Sequence, residues 1–154
     1  FGVVYGGGHV GLMGIVADAA MKAGGEVIGV IPRFMEKAEE AHRGVTELIL
    51  VDSMHERKLR MHQLSDAVIA LPGGFGTLDE VYEALNLVLT RTIDPIPIVL
   101  VGSNYWSRML DLDYLADGGY IEARDKALVY QTDSGADAAA YVLGRCGCGK
   151  DGGS

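Results

Sequence analysis

Short apolar segments rich in β-branched residues alternate with amphipathic segments along the chain. The apolar segments predict six strands, at residues 3–5, 26–31, 47–51, 67–71, 96–101 and 127–130. Two stretches, 68–71 and 98–101, are apolar at every position, as expected for central parallel strands that are covered on both faces. The alternation therefore predicts a series of βαβ units.

Apolar residues between these strands recur at spacings of three and four, which is typical of helices that turn one face to a sheet. One such helix begins near Leu12 and another near Leu78, and further helices are expected over 54–64, 105–115 and 135–143. Residues 32–44 have mixed charge and weak periodicity, so we expect a loop or a short helix near a sheet edge. The pattern predicts a doubly wound, mostly parallel, Rossmann-like sheet with three α/β/α layers.

Length and composition indicate one domain. The 154 residues, 49% hydrophobic and 22% charged, are typical of an ordinary globular protein. We expect one catalytic or binding domain over 1–145 and a flexible glycine-rich tail over 146–154. Because the chain begins inside a predicted strand and without Met, an N-terminal βα segment is expected to be missing.

Charge and hydropathy exclude several classes of partner. The net charge of -8 argues against general binding to nucleic acid or anionic membranes, which requires surplus Lys and Arg. No apolar run approaches the ~18 residues of a membrane span and no signal peptide is visible, so a cytoplasmic location is expected. Cys146 and Cys148 are too close together for an ordinary disulfide and too few for zinc. The four histidines are scattered, and no metal site is predicted from them.

Two glycine-rich turns follow predicted strands. The first, Tyr5-Gly-Gly-Gly8, precedes Gly11-Leu-Met-Gly14 at the start of a helix. Such glycines let a ligand approach the backbone, or serve only tight strand-to-helix packing, and both interpretations stay open. Residues 6–11 match G-x-G-x-x-G by letter, but no acidic residue ends the next strand where a ribose partner is expected. The interpretation of this chain as an NAD-dependent oxidoreductase would rest on that match alone.

The second turn, residues 72–77, carries the clearest chemistry. It follows a buried strand and has three glycines in four positions, then Thr77 as the predicted N-cap of the next helix. Main-chain N–H groups in such a turn suit one phosphate. The turn lacks the Lys-Ser/Thr pair of a Walker A loop, so a triphosphate held through magnesium is not expected.

Glu80 has two interpretations. Thr77-x-x-Glu80 fits a capping box, in which the glutamate bonds the helix N-terminus. Alternatively, a carboxylate one turn after a bound phosphate would reach the ribose and stabilise a cation-like sugar during glycosidic cleavage. Asp79 and Glu83 are expected to be solvated or structural.

The charged cluster Met54-His-Glu-Arg-Lys58 begins the preceding predicted helix. Such a cluster is usually a solvated helix face. In the alternative interpretation, Arg57 and Lys58 enter from the end of the sheet where ligands bind. Arg57 would then clamp phosphate through its bidentate fork or stabilise the departing base.

The motifs together resemble the Lonely Guy family, which the broader label lysine decarboxylase once covered. The resemblance is carried by the following segments, with a weaker similarity continuing to about residue 143: Tyr5-Gly-Gly-Gly8, Gly11-Leu-Met-Gly14, Val27-Ile-Gly-Val-Ile-Pro32, Met54-His-Glu-Arg-Lys58 and Pro72-Gly-Gly-Phe-Gly-Thr-Leu-Asp-Glu80. No lysine is placed as a pyridoxal-phosphate Schiff base, so the decarboxylase label finds no support.

The resemblance implies hydrolysis of the N-glycosidic bond of a purine nucleoside 5′-monophosphate, without cofactor or metal, by a homodimer or larger assembly. Arg57 and Glu80 are the implied catalytic pair. Glu39 aligns with a substrate-contacting acid, although Ala38 replaces the family's Arg before it. The implied substrate-binding residues are Gly7, Gly8, Glu39, Met54, Arg57, Lys58, Gly73, Gly74, Phe75, Gly76, Thr77 and Asn86.

One departure from the family concerns the base. Plant-type members carry Thr-Trp-x-Gln after the position of Glu83, whereas this chain reads Asn86-Leu-Val-Leu89. An N6-modified adenine of the cytokinin type and adenine itself therefore both remain open. The rival to hydrolysis is a carrier of the same fold that binds a nucleotide or molybdenum cofactor without cleaving it.

Overall fold

The computed structural model describes residues 1–37 and 41–146, which divide into two compact units between Ser65 and Asp66. Glu39 and Cys148 lie outside the described residues. None of the helices within the described ranges has both the length and the apolar character needed to cross a bilayer. The extent of the catalytic domain, predicted as 1–145, stays a prediction.

The first unit is a three-stranded parallel sheet with two helices. Its elements are β1 (Val3–Tyr5), α1 (Leu12–Lys22), β2 (Val27–Pro32), β3 (Glu47–Val51) and α2 (Met54–Gln63). The strand order is β1-β2-β3, with Val4 opposite Ile28 and Val30 opposite Ile49. β2 is apolar and almost wholly buried because it is the central strand.

The second unit also contains a three-stranded parallel sheet, with four α-helices in its described part. Its elements are β4 (Val68–Ala70), α3 (Phe75–Leu89), β5 (Ile98–Val101), α4 (Ser103–Met109), α5 (Leu112–Asp117), a 3-10 turn (Ala123–Leu128), β6 (Val129–Thr132) and α6 (Gly135–Cys146). The strands are parallel in the order β4-β5-β6.

Alternate residues of β5 pack on opposite faces of this sheet. Ile98 and Leu100 join a buried cluster with Val81 of α3 and Trp106 of α4, whereas Val99 packs against α6. Helices therefore cover both faces, because successive side chains of a strand point to opposite sides. The predicted α/β class with parallel, Rossmann-like, three-layer packing is confirmed.

Several predicted bounds are wrong for local reasons. The helix expected over 105–115 is divided into α4 and α5, since Asp111 is extended and its side chain caps the N–H of Tyr114 at 2.9 Å. The last strand is displaced from 127–130 to β6 because a 3-10 helix, whose start is held by a capping box of Glu122 and Asp125, continues to Leu128. Helix α6 extends to Cys146, so that residue belongs to the helix rather than to the tail.

Candidate active site

The glycine turn after β1 is shaped by packing. A Cβ on Gly6 would lie 2.0 Å from Nη2 of Arg57, and one on Gly14 would lie 1.9 Å from the carbonyl oxygen of His9. Gly7 has a φ of 79° and its carbonyl accepts the N–H of His42 at 2.9 Å, while Gly8 forms an antiparallel bridge with Ala41. These contacts favour the packing interpretation of the turn, and a ligand contact by Gly7 or Gly8 stays a prediction.

Arg57 is buried, so the solvated-face interpretation of its cluster is wrong for this residue. Its side chain is 5% exposed and donates from Nε to the Val30 carbonyl at 3.1 Å and from Nη2 to the Gly6 carbonyl at 2.9 Å. Nη1 lies 3.8 Å from the sulfur of Met54. These two bonds to main-chain carbonyls fix the orientation of the guanidinium.

The start of helix α2, which carries Arg57, is held by capping bonds. The hydroxyl of Ser53 accepts the N–H of Glu56 at 3.1 Å, and the Glu56 carboxylate accepts the N–H of Asp52 at 2.8 Å. His55 and Glu56 are exposed, whereas Lys58 is half-buried. Within this cluster, Arg57 is thus buried while the two residues before it face solvent, because successive residues of a helix with 3.6 residues per turn lie on different faces.

Helix α3 begins three residues earlier than the sequence suggests. Its N-cap is Gly74 and its first helical residue is Phe75, without a side-chain cap. The predicted N-cap at Thr77 and the capping box with Glu80 are therefore wrong, since Thr77 already lies in the first turn. Its hydroxyl instead lies over Gly73, where a Cβ would be 2.2 Å from Thr77 Oγ1, so the turn needs glycine at this position.

The start of α3 is an open array of N–H donors. The first bond within the helix is from Leu78 N to Gly74 O at 3.1 Å, so the N–H groups of the three residues before Leu78 point out of the helix end. A Cβ at Gly74 or Gly76 would meet nothing within 4 Å, and Phe75 is 92% exposed. Donors facing open space at the positive end of a helix of 15 residues can hold an anion.

The remaining predicted residues of this unit lie along α3. Glu80 is half-buried in its second turn, and Asp79 beside it is exposed. Glu83 is half-buried one turn later, and Asn86 is exposed near the helix end, where its carbonyl accepts the N–H of Thr90 at 2.9 Å. Thus Glu80 shares a helix with the anion-binding end, while Asn86 lies well away from that end.

Comparison with known proteins identifies the family. The family model described as "Possible lysine decarboxylase" matches residues 13–142. The chain is 42% identical over 141 residues to the cytokinin riboside 5′-monophosphate phosphoribohydrolase of Rhodococcoides fascians, covering 89% of this chain and 71% of that protein. It is 41% identical over 143 residues to the protein of that name in Mycobacterium tuberculosis (strain ATCC 25618 / H37Rv), covering 88% and 73%.

The chain belongs to the Lonely Guy family. A plant relative, cytokinin riboside 5′-monophosphate phosphoribohydrolase LOG5 of Arabidopsis thaliana, is 41% identical over 121 residues, which cover 78% of this chain and 53% of that protein. The chain thus spans about half the length of the plant relative and over two thirds of the two bacterial ones. The predicted resemblance is confirmed.

Two histidines of this Lonely Guy protein lie together although the sequence separates them. The rings of His9 and His42 meet edge to face with centroids 4.4 Å apart, and ligating atoms of both and of Asp18 lie within 4.8 Å of one another. Two imidazoles and a carboxylate are a set that zinc accepts, so the expectation that the histidines are too scattered for such a group is wrong for this pair.

Hydrogen bonds already occupy both nitrogens of the buried His42. Nδ1 accepts the N–H of Gly44 at 3.2 Å, which leaves the proton on Nε2, and Nε2 donates to Asp18 at 2.9 Å. The pair links α1 to the segment that bridges Gly8. This arrangement makes His42 a structural residue, because a metal would have to replace its bond to Asp18.

Proposed function

We propose that this chain hydrolyses the N-glycosidic bond of a purine nucleoside 5′-monophosphate, releasing the free base and ribose 5-phosphate. The base is adenine or an N6-modified adenine. The observation that carries the proposal is the open N–H array at the start of α3, in a chain 42% identical to a protein named cytokinin riboside 5′-monophosphate phosphoribohydrolase.

The 5′-phosphate binds at the turn of residues 72–77. Gly74 and Gly76 present no side chain, so phosphate oxygens can approach their N–H groups directly. Gly73 and Thr77 shape the turn by their close packing, and Thr77 brings a hydroxyl to the same end of α3. Phe75, which is exposed, lies against the nucleotide.

Glu80 acts on the ribose. It follows Thr77 by three residues, a rise of about 4.5 Å along the helix, so its carboxylate lies one turn from the phosphate. The carboxylate stabilises the cation-like sugar and orients a water molecule. The water oxygen bonds to C1′ as the bond from C1′ to the base nitrogen breaks. One water proton stays on the new C1′ hydroxyl and the other is transferred to the departing base.

Arg57 supplies a fixed positive charge. Its guanidinium is buried and held by the carbonyls of Gly6 and Val30, which supports a role that needs orientation as well as charge. It stabilises negative charge on the departing base or on the phosphate. Lys58 and Met54, its neighbours on α2, assist binding.

The test measures base release from AMP and isopentenyl-AMP by chromatography. We expect Glu80→Gln to lower the rate constant kcat by about 10²- to 10⁴-fold, the usual contribution of a catalytic carboxylate. Asp79→Asn is the matched control, because Asp79 is the exposed acid beside Glu80 on the same helix, and it should retain the wild-type rate.

No base released from either nucleotide would overturn hydrolysis, and full release by Glu80→Gln would overturn the catalytic role of Glu80. A carrier of the same fold needs the phosphate turn and neither Arg57 nor Glu80. Calorimetry that finds a nucleotide bound tightly and recovered intact would therefore favour the carrier.

We also propose a homodimer or a larger assembly located in the cytoplasm. Large apolar side chains are exposed on α3, where Phe75, Tyr82 and Leu89 are spaced by seven residues and are 92%, 44% and 48% exposed. Residues at this spacing share one helix face. Light scattering during gel filtration would return a monomer mass if the assembly proposal is wrong.

A further inference from the structure

Tyr105 is absent from the predicted site, yet its side chain binds the phosphate turn. It lies on α4, and its hydroxyl donates to the carbonyl of Gly73 at 2.5 Å. The ring packs against the buried cluster of the second unit and meets Trp106 edge to face with centroids 5.0 Å apart. Because Trp106 is 1% exposed, the tyrosine ring rests against a buried part of the core.

This bond determines which way one peptide group faces. The Gly73–Gly74 peptide is trans, so its C=O and N–H point in opposite directions. When Tyr105 holds the carbonyl of Gly73, the N–H of Gly74 must face away from the tyrosine. Without the tyrosine, glycines on both sides would let this peptide turn over at little conformational cost.

We propose that Tyr105 is a positioning residue that aims the N–H of Gly74 at the 5′-phosphate. It keeps the Gly73 carbonyl, which would repel an anion, out of the phosphate site. The inference rests on the proposed function for the identity of the ligand, and it adds a residue that orients the turn without touching the nucleotide.

The start of α4 is itself anchored, which is what a positioning residue requires. Gly102 has a φ of 101°, and a Cβ there would lie 3.0 Å from Cγ of Pro72, so glycine allows the two loops to meet closely. Asp133 accepts the N–H of Ser103 at 2.7 Å and its hydroxyl at 2.6 Å. The loops after β4, β5 and β6 are thus linked at the end of the sheet that carries the turn.

The experiment compares Tyr105→Phe with Tyr82→Phe. Tyr82 is a matched control because its hydroxyl also donates to a main-chain carbonyl, that of Met109 at 2.7 Å, but not to the turn. Calorimetry with ribose 5-phosphate and with inorganic phosphate gives the dissociation constant Kd. Losing one well-aimed N–H to an anion should weaken binding by about tenfold in Tyr105→Phe and by less than about twofold in Tyr82→Phe.

Kinetics with the preferred nucleotide supply a second readout. A positioning role at the phosphate raises KM by about tenfold and changes kcat by less than about twofold, because the phosphate contact is the same in ground and transition states. In the NMR spectrum, the Gly74 amide resonance should shift on addition of ribose 5-phosphate to the wild type and shift less in Tyr105→Phe.

Three results would overturn the proposal. They are an unchanged Kd in Tyr105→Phe, an equal weakening in both variants that follows a loss of thermal stability, and a wild type that binds neither phosphate nor ribose 5-phosphate. If the wild type binds ribose 5-phosphate but cleaves no nucleotide, the proposed hydrolysis fails, and the ratio of Kd values still decides the role of Tyr105.

Discussion

Gly6 and Arg57 should be energetically coupled. The structure places Nη2 of Arg57 only 2.0 Å from the position of a Cβ on Gly6, whereas non-bonded atoms pack at about 3.5 Å. Gly6 is not among the glycines with positive φ, so the backbone itself would accept alanine. The cost of Gly6→Ala therefore comes from displacing the guanidinium by about 1.5 Å.

This displacement costs hydrogen bonds to a buried cation. The Arg57 side chain donates at 2.9 Å to the Gly6 carbonyl and at 3.1 Å to that of Val30, and each bond to a charged group contributes about 1.5–3 kcal/mol. If one of these two hydrogen bonds is lost and the other is strained, Gly6→Ala should lower the free energy of unfolding by about 2–3 kcal/mol, which agrees with the usual cost of overpacking. With Arg57→Ala already present, the added methyl enters vacated space and should cost less than about 0.5 kcal/mol.

The assay is a double-mutant cycle measured by urea unfolding with far-ultraviolet circular dichroism. Gly144→Ala is the control, because a Cβ there meets nothing within 4 Å; in helix α6 it should be neutral or stabilising by up to about 1 kcal/mol in either background. The reasoning is refuted if Gly6→Ala costs the same with and without Arg57.

Three further predictions concern pH and the turn. Hydrogen bonds from Ser103 hold the pKa of Asp133 below its usual value, so the stability that the Asp133 carboxylate contributes is lost as pH falls below about 4. The melting temperature of Asp133→Asn should therefore fall less in acid than that of the wild type, and identical melting curves would contradict this prediction. Burial raises the pKa of Tyr5 to about 12, so folding loses stability as pH rises from about 10 through the folded value, and Tyr5→Phe should remove that loss. Because the Tyr5 hydroxyl is buried without a hydrogen-bond partner among the described residues, the same change should add up to about 1 kcal/mol at neutral pH, and a clear decrease in unfolding free energy would contradict this. Gly73→Ala should weaken ribose 5-phosphate binding by more than about tenfold, because the new methyl meets Thr77 and displaces the turn; unchanged affinity in calorimetry would show that the turn adapts.

Local sequence determined the elements of this fold. β-branched apolar runs predict the six strands of the described residues. The fully apolar stretch at 98–101 correctly indicates a strand packed on both faces, whereas the same expectation for 68–71 is wrong, because the Ile69 side chain of β4 is 48% exposed. The two glycine-rich turns also follow from sequence, since few other residues let a chain leave a strand and enter a helix so tightly. Such features depend on neighbouring residues and need no knowledge of distant ones.

For several residues the local sequence fits two structural interpretations equally well, and only the tertiary structure decides between them. Thr77 has the residue type of an N-cap, but its hydroxyl lies over Gly73 and the helix begins earlier. Arg57 sits in a charged cluster like a surface residue, and its burial depends on carbonyls of Gly6 and Val30, which are distant in sequence. The bond from Tyr105 to Gly73 joins helix α4 to the turn before α3 in the second unit. No periodicity encodes these contacts, because each depends on where another part of the chain comes to lie when the sheet forms.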